Sequence, residues 1–200
     1  MISGWLPVIH NLYYYENVSV KYPIFVIAIC LACSTAPDDV SLEQSVVTIS
    51  DPYFEGNARL TRTSKGFKVA LINNEGNELD RTIFNYLPYQ LDTADVDRDG
   101  RTEILIGLIK PTEFDPKARK RLFILRIDEG QLRPLWLGSK VCQQLVDFRA
   151  MPNGVVRTIE QTIEGRYIIG IYEWQGFGLT LIKYVSNEEP YHEAVSIFNS

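Results

Sequence analysis

The sequence has few of the residues that usually build catalytic or metal centres. Its 200 residues include three cysteines and two histidines, so neither a disulfide framework nor a Cys/His metal site is predicted. It also lacks the motifs typical of serine hydrolases, zinc proteases, P-loop proteins and dinucleotide-binding proteins. We therefore expect a protein without catalytic residues.

Positive charge is also scarce. Twenty Lys and Arg residues stand against 25 Asp and Glu residues, which gives a formal net charge of −5. The densest basic segment is KARKR at residues 117–121, which follows two prolines. We interpret it as an exposed loop, with a basic docking site as the alternative. This charge balance excludes nucleic acid as the expected partner.

The apolar run at residues 22–33, YPIFVIAICLAC, is too short to cross a hydrocarbon core of about 30 Å as a helix. An apolar run of this length behind Lys21 is typical of a secretory signal. Its end, CLACST, resembles the lipobox of bacterial lipoproteins, which implies lipidation at Cys33. The alternatives are cleavage nearby, with Cys33 as an ordinary cysteine, or a buried N-terminal strand.

The N-terminal organisation follows from this resemblance. Residues 1–33 are predicted to be a signal peptide with a lipobox-like end, and residues 34–44 a flexible, polar tether. The residues before Lys21 carry no positive charge, whereas a signal usually begins with a basic segment. We therefore expect translation to begin near Val18 or Val20.

From residue 45 onward, no stretch of a dozen residues shows apolar residues at helical spacing, and the sequence consists of short strand-like runs. These runs are separated by Gly, Asn, Asp and Pro, which is typical of β-strands joined by turns. A helix is expected only near the C-terminus, within PYHEAVSIFN. The predicted strands are residues 45–50, 58–63, 66–73, 78–84, 103–109, 121–127, 132–138, 141–148, 155–161, 166–174 and 178–185.

Three segments repeat one plan, in which an apolar strand, a glycine turn and a strand opening with leucine follow one another. The turn glycines are Gly76, Gly130 and Gly176, and a repeat of about 50 residues is expected for four-stranded propeller units. We predict an all-β, propeller-like domain of about three antiparallel units over residues 45–187, followed by a tail at 188–200. Closed propellers usually have about four or more blades, so the alternatives are an open arc, an incomplete ring or a curved sandwich.

One short segment, DVDRDGRTE at residues 95–103, concentrates acidic residues. Asp95, Asp97 and Asp99 occupy alternate positions, and Gly100 permits the positive φ of a sharp reversal. Alternating carboxylates in a tight loop suit Ca²⁺, which takes about six to eight oxygen ligands. Ile106 occupies the twelfth position, where an EF-hand needs glutamate. The alternative is an Asp-rich turn that binds nothing.

The segment ADVDRDGRTEILIG, followed by RLFILRIDEGQLRPLW, resembles the FG-GAP or VCBS-type repeat, the calcium-loop blade of integrin-alpha-like β-propellers. The likeness covers residues 91–137. It implies a bound Ca²⁺ that stiffens the blade and takes no part in catalysis. The ligands that it implies are Asp95, Asp97, Asp99, the backbone carbonyl of Arg101, and Glu103.

Two function classes follow. The first is a lipid-anchored, non-catalytic, calcium-stabilised module that binds or scaffolds a protein or glycan at the bacterial outer membrane or cell surface, or otherwise in the periplasm or medium. The second is a secreted hydrolase, acting for example on glycans, with an acid pair such as Glu160 and Glu164. Aromatic residues at 167, 172, 174 and 177 are expected in the core, with a sugar-binding face as the alternative.

Overall fold

The computed structural model describes residues 42–138 and 140–200. The predicted signal peptide, Cys33, the proposed start sites and most of the predicted tether lie outside the described residues. Residues 34–200 form one compact unit. Within the part of the chain that is described, no helix is long and apolar enough to cross a membrane.

Within the described residues, twelve antiparallel strands form three four-stranded sheets, and each sheet is a meander of four consecutive strands. The first sheet contains β1 (Gln44–Ser50), β2 (Glu55–Thr63), β3 (Gly66–Asn73) and β4 (Glu78–Phe84). The second contains β5 (Leu87–Ala94), β6 (Glu103–Lys110), β7 (Arg119–Asp128) and β8 (Gln131–Leu137). The third contains β9 (Gln144–Ala150), β10 (Val156–Gln161), β11 (Tyr167–Gln175) and β12 (Gly178–Tyr184).

Strand β6 shows why the sheets stack. Its apolar run EILIGLI is buried from Glu103 to Leu108 because both of its faces are covered. Ile104 and Ile106 pack into an apolar cluster shared with the first sheet, whereas Leu105, on the opposite face, packs into a cluster shared with the third. The second sheet is therefore the middle layer.

The two outer faces of the stack carry different groups. Helix α1 (Tyr191–Asn199) covers the far face of the third sheet, where Ala194 and Phe198 are buried one helical turn apart. The first sheet carries ion-paired side chains on its strands, with 2.7 Å between Lys68 Nζ and Glu78 Oε2. All three apolar clusters come from residue 42 onward, so residues 34–200 contain their own core.

The all-β prediction and the count of three units are confirmed, and the sheets form an open, propeller-like arrangement. The eleven predicted strands are present, but β5 was not predicted. Its sequence, LPYQLDTA, contains a proline and three polar residues, Gln90, Asp92 and Thr93. Pro88 is tolerated because β5 is an edge strand whose pairing with β6 is irregular between Pro88 and Gln90. The region predicted as a tail forms α1 and packs on the domain.

Candidate metal centre

The acidic segment forms the loop that joins β5 to β6. Ala94 and Glu103 pair across its base. Arg98 has φ of 62° and Gly100 has φ of 87°, so two residues adopt the left-handed conformation within three positions. Glycine adopts it freely, whereas an arginine there is less favourable. The chain therefore reverses within a very short loop.

This reversal brings three carboxylates together. Oxygen atoms of Asp95, Asp97 and Asp99 all lie within 4.8 Å of one another. The Asp97 side chain is 11% exposed, Asp95 is half-buried and Asp99 is exposed. The three aspartates at alternate positions in the sequence therefore do bring their carboxylates together in space.

Backbone N–H groups of the loop satisfy only part of this cluster. Gly100 N donates to Asp95 Oδ2 at 3.0 Å, and Arg101 N donates to Asp99 Oδ1 at 2.9 Å. These bonds are those of an ordinary Asp-rich turn. Asp95 Oδ1 differs, because it is buried and has no hydrogen-bond partner among the described residues. A buried oxygen without a partner is uncommon and is not explained by turn formation.

Asp97 lies in an unfavourable environment for a negative charge. Burial raises its pKa, and repulsion from Asp99 and Asp95 adds to this effect. A hydrogen bond from Asp99 N and the charge of Arg126, whose Nη2 lies 3.6 Å from Asp97 Oδ2, act in the opposite direction. A bound divalent cation would offset the repulsion directly.

Glu103 has a different position from the three aspartates. It is 1% exposed, and its Oε2 accepts a hydrogen bond from Val96 N at 2.8 Å. It is not one of the carboxylates whose oxygens lie within 4.8 Å of one another. Burial, reinforced by repulsion from the three aspartates, raises the pKa of Glu103 to about 8, although the hydrogen bond from Val96 N acts to lower it. Its part in binding an ion stays a prediction.

Arg101 contacts the first sheet through its side chain. Its guanidinium carbon lies 4.6 Å from the centre of the Tyr53 ring, and its Nη1 lies 3.6 Å from Asp128 Oδ1. A cation over an aromatic ring is a favourable contact. The proposed ligand is the backbone carbonyl of Arg101, and that role also stays a prediction.

Asp51 is a supporting residue that the sequence did not reveal. It lies in the turn between β1 and β2, and its Oδ2 accepts a hydrogen bond from Thr102 N at 2.8 Å. Burial alone would raise the pKa of Asp51, but hydrogen bonds from Thr102, Tyr53 and Phe54 outweigh burial and lower it. Because residues 51 and 102 are far apart in the sequence, no local pattern could have indicated this contact.

The third sheet supports the loop from the other side. Arg98 Nη2 lies 3.0 Å from Glu173 Oε1. Gly154 approaches so closely that a Cβ atom there would lie 2.3 Å from the Asp95 carbonyl oxygen. Gly154 also has φ of 77°, which favours glycine. The carboxylate loop is therefore held by contacts with both neighbouring sheets.

The acid pair considered for a hydrolase lies in two different environments. Glu160 is fully buried, and its two oxygens accept hydrogen bonds from Gln143 N and Thr158 Oγ1, each at 2.6 Å. Glu164 is exposed in the turn after β10. Of the four aromatic residues, Tyr167 and Tyr172 are buried in the core, Trp174 is half-buried and Phe177 is exposed.

No family model matches the chain, and no curated protein matches it either. The fold and the loop define an open, propeller-like stack of three antiparallel sheets with a carboxylate cluster in its middle sheet. The likeness to the FG-GAP or VCBS-type repeat rests on the sequence of residues 91–137.

Proposed function

We propose that this protein is a non-catalytic, calcium-stabilised, propeller-like module of the bacterial cell envelope that binds or scaffolds a protein or glycan. We further propose that lipid attached at Cys33 anchors it to the outer membrane or cell surface. The observation that carries the calcium proposal is Asp95 Oδ1, a buried oxygen without a partner beside two further carboxylates.

The position of the carboxylate loop supports a stabilising role for the ion. The loop contacts the first sheet through Asp51 and the third sheet through Glu173. Order in the loop is therefore coupled to packing on both sides of the middle sheet. Oxygen ligands in a partly flexible loop suit Ca²⁺ better than Mg²⁺, which requires stricter octahedral geometry.

We expect calcium to stabilise residues 34–200. An ion that binds the folded state alone raises the free energy of unfolding by about 2.7 kcal/mol at a hundredfold excess over Kd. Modules that work outside the cell often have Kd values of about 10⁻⁴ to 10⁻³ M. Thermal unfolding should therefore shift upward in millimolar calcium and return when chelator is added.

Asp97→Ala should abolish this shift, whereas Glu113→Ala, which removes an exposed carboxylate from the loop between β6 and β7, should leave it unchanged. In chelator, Asp97→Ala should be slightly stabilised because it removes repulsion from Asp95 and Asp99. Equal melting curves in calcium and chelator for the unsubstituted protein would make the aspartates turn formers only.

Membrane anchoring should depend on Cys33. In a bacterial expression host, the full chain should incorporate labelled palmitate and sediment with membranes, and Cys33→Ala should lose both properties. Several acyl chains are needed for stable anchoring, since a single chain binds membranes only marginally. Cys30→Ala is the matched control and should keep both. Labelling that persists in Cys33→Ala would contradict the anchor.

A further inference from the structure

A cleft of about 1040 Å³ opens between the second and third sheets. Its lining includes the loop between β6 and β7 and the turn between β10 and β11. The carboxylate loop joins β5 to β6, and these strands are antiparallel. The next connection, β6 to β7, therefore lies at the opposite end of the middle sheet. Buried Leu122, Val141 and Leu145 line the cleft and form its apolar floor.

The cleft is basic although the whole chain is acidic. Five cationic side chains line it, and Asp115 is its one acidic lining residue among the described residues. The cations are Lys117, Arg119, Lys120, Arg121 and Lys140. Asp115 Oδ2 pairs with Arg119 Nε at 2.9 Å and with Arg121 Nη2 at 3.0 Å. Lys117 and Lys140 are exposed, and both are available to an outside anion.

Large apolar side chains protrude around the same cleft. Phe114 is 95% exposed and Ile163 is 93% exposed, and Leu137 is also exposed. They lie in three separate parts of the chain: Phe114 in the β6–β7 loop, Leu137 at the end of β8, and Ile163 in the β10–β11 turn. Two acids, Glu113 and Glu164, adjoin these tips in the sequence and reduce the positive charge without cancelling it. Apolar tips around a cationic surface fit a layer with anionic head groups above hydrocarbon.

We infer that this end of the domain docks on an anionic lipid bilayer. The lysines of the cleft lie against head-group phosphates, and Phe114 and Ile163 enter the boundary between head groups and acyl chains. This inference rests on the proposed envelope location and adds a second membrane contact, made by the folded domain itself. The acidic loop lies at the other end of the middle sheet, so the charge distribution orients the domain in the field of an anionic surface.

An acidic glycan is the less favoured occupant. Protein sites for sugars present aromatic rings against which the sugar packs. Phe114 is the one aromatic residue among the described residues that line the cleft, and at 95% exposure it stands at the rim. The combination of protruding apolar tips with lysines fits a lipid surface better than a chain lying inside the cleft.

Co-sedimentation of residues 34–200 with vesicles tests the inference. Binding is expected to vesicles that contain phosphatidylglycerol and not to pure phosphatidylcholine, and it should weaken as salt rises. Each Lys or Arg near an anionic surface contributes about fivefold to partitioning. The double substitution Lys117→Glu with Lys140→Glu should therefore weaken binding by at least about tenfold.

The apolar contribution has its own variants and controls. Phe114→Ser with Ile163→Ser should also weaken vesicle binding by at least about tenfold, since burial of each side chain is lost. The matched controls are Phe177→Ser, which removes an equally exposed ring from the β11–β12 turn, and Lys183→Glu on β12. Both should bind within about twofold of the unsubstituted domain, because surface changes away from a contact have small effects. Unchanged melting curves confirm that each variant is folded.

Three results would overturn the inference: no binding to phosphatidylglycerol, equal binding to both lipids, or equal losses in the controls. Binding to soluble alginate without binding to vesicles would also overturn it and would assign the cleft to an acidic glycan. The fragment lacks Cys33, and the experiment is done with and without calcium. A negative vesicle experiment would therefore not contradict the lipid anchor or the calcium site. A negative palmitate or calcium experiment would likewise not contradict vesicle binding by the folded domain.

Discussion

Without calcium, the free energy of unfolding is expected to fall as the pH rises from about 4.5 to about 8, because of Glu103. Burial, reinforced by Asp97, Asp99 and Asp95, raises the pKa of this carboxyl from 4.5 to about 8 in the folded protein. In the unfolded chain the group ionises near its ordinary value. Between these two pH values the folded state retains a proton that the unfolded state has released.

The direction in which the free energy of unfolding changes with pH follows from this difference in bound protons. Each pH unit within the interval favours unfolding by about 1.4 kcal/mol, so the whole interval amounts to several kcal/mol. Below it both states are protonated, and above it both are ionised, so the contribution of Glu103 is then constant. The contribution of Glu103 to the stability of the calcium-free protein should therefore be greatest on the acidic side of this interval.

Urea unfolding in chelator at a series of pH values measures the effect. Glu103→Gln is the matched variant, because the amide oxygen of glutamine accepts a hydrogen bond from Val96 N without titrating. The difference in stability between the two proteins should widen steadily with pH across the interval. Saturating calcium should reduce the slope of the unsubstituted protein, since a nearby cation favours the ionised carboxyl. Parallel pH profiles in chelator would contradict the prediction.

The features predicted correctly from the sequence are those encoded locally. Strands β3 and β7 carry continuous apolar runs bounded by turn residues. Gly76, Gly130 and Gly176 have positive φ in the turns that follow β3, β7 and β11. The convergence of the three aspartates is also local, because alternate positions in a tight loop need no distant partner.

The features that were missed depend on contacts between distant parts of the chain. Asp51 and Gly154 support the carboxylate loop from two other sheets, and nothing near either residue in the sequence indicates this. The basic run at 117–121 was visible as a charge pattern. Its role as the wall of a cleft depends on Lys140 and Ile163, which only the folded chain brings to the same place.

The apolar cluster between the second and third sheets is where a substitution should reduce stability most. Phe148 on β9 is fully buried between the second and third sheets, and its ring packs edge-to-face on Tyr89, with 6.1 Å between ring centres. Its carbonyl oxygen accepts a hydrogen bond from Gln90 Nε2 at 2.6 Å. Phe148 therefore joins the inner edge strands of two sheets through both its side chain and its backbone.

Phe148→Ala should lower the free energy of unfolding by about 3–5 kcal/mol, the usual cost of deleting a buried aromatic ring and leaving a cavity. Domains of this size have total stabilities of about 5–15 kcal/mol, so the variant should be partly unfolded at moderate temperature. Chemical unfolding in saturating calcium measures the loss, and Phe177→Ala is the control. Phe177 is 93% exposed, so its removal should change stability by less than about 0.5 kcal/mol.

The same experiment tests whether the three sheets depend on one another. The middle sheet shares one apolar cluster with each neighbour, so loss of packing on one side should weaken the unit as a whole. We expect a single transition at lower denaturant concentration, followed identically by far-ultraviolet circular dichroism and tryptophan fluorescence. Two separated transitions would show that the third sheet and α1 unfold independently. A loss below about 1 kcal/mol would contradict the assignment of Phe148 to a tightly packed interface between sheets.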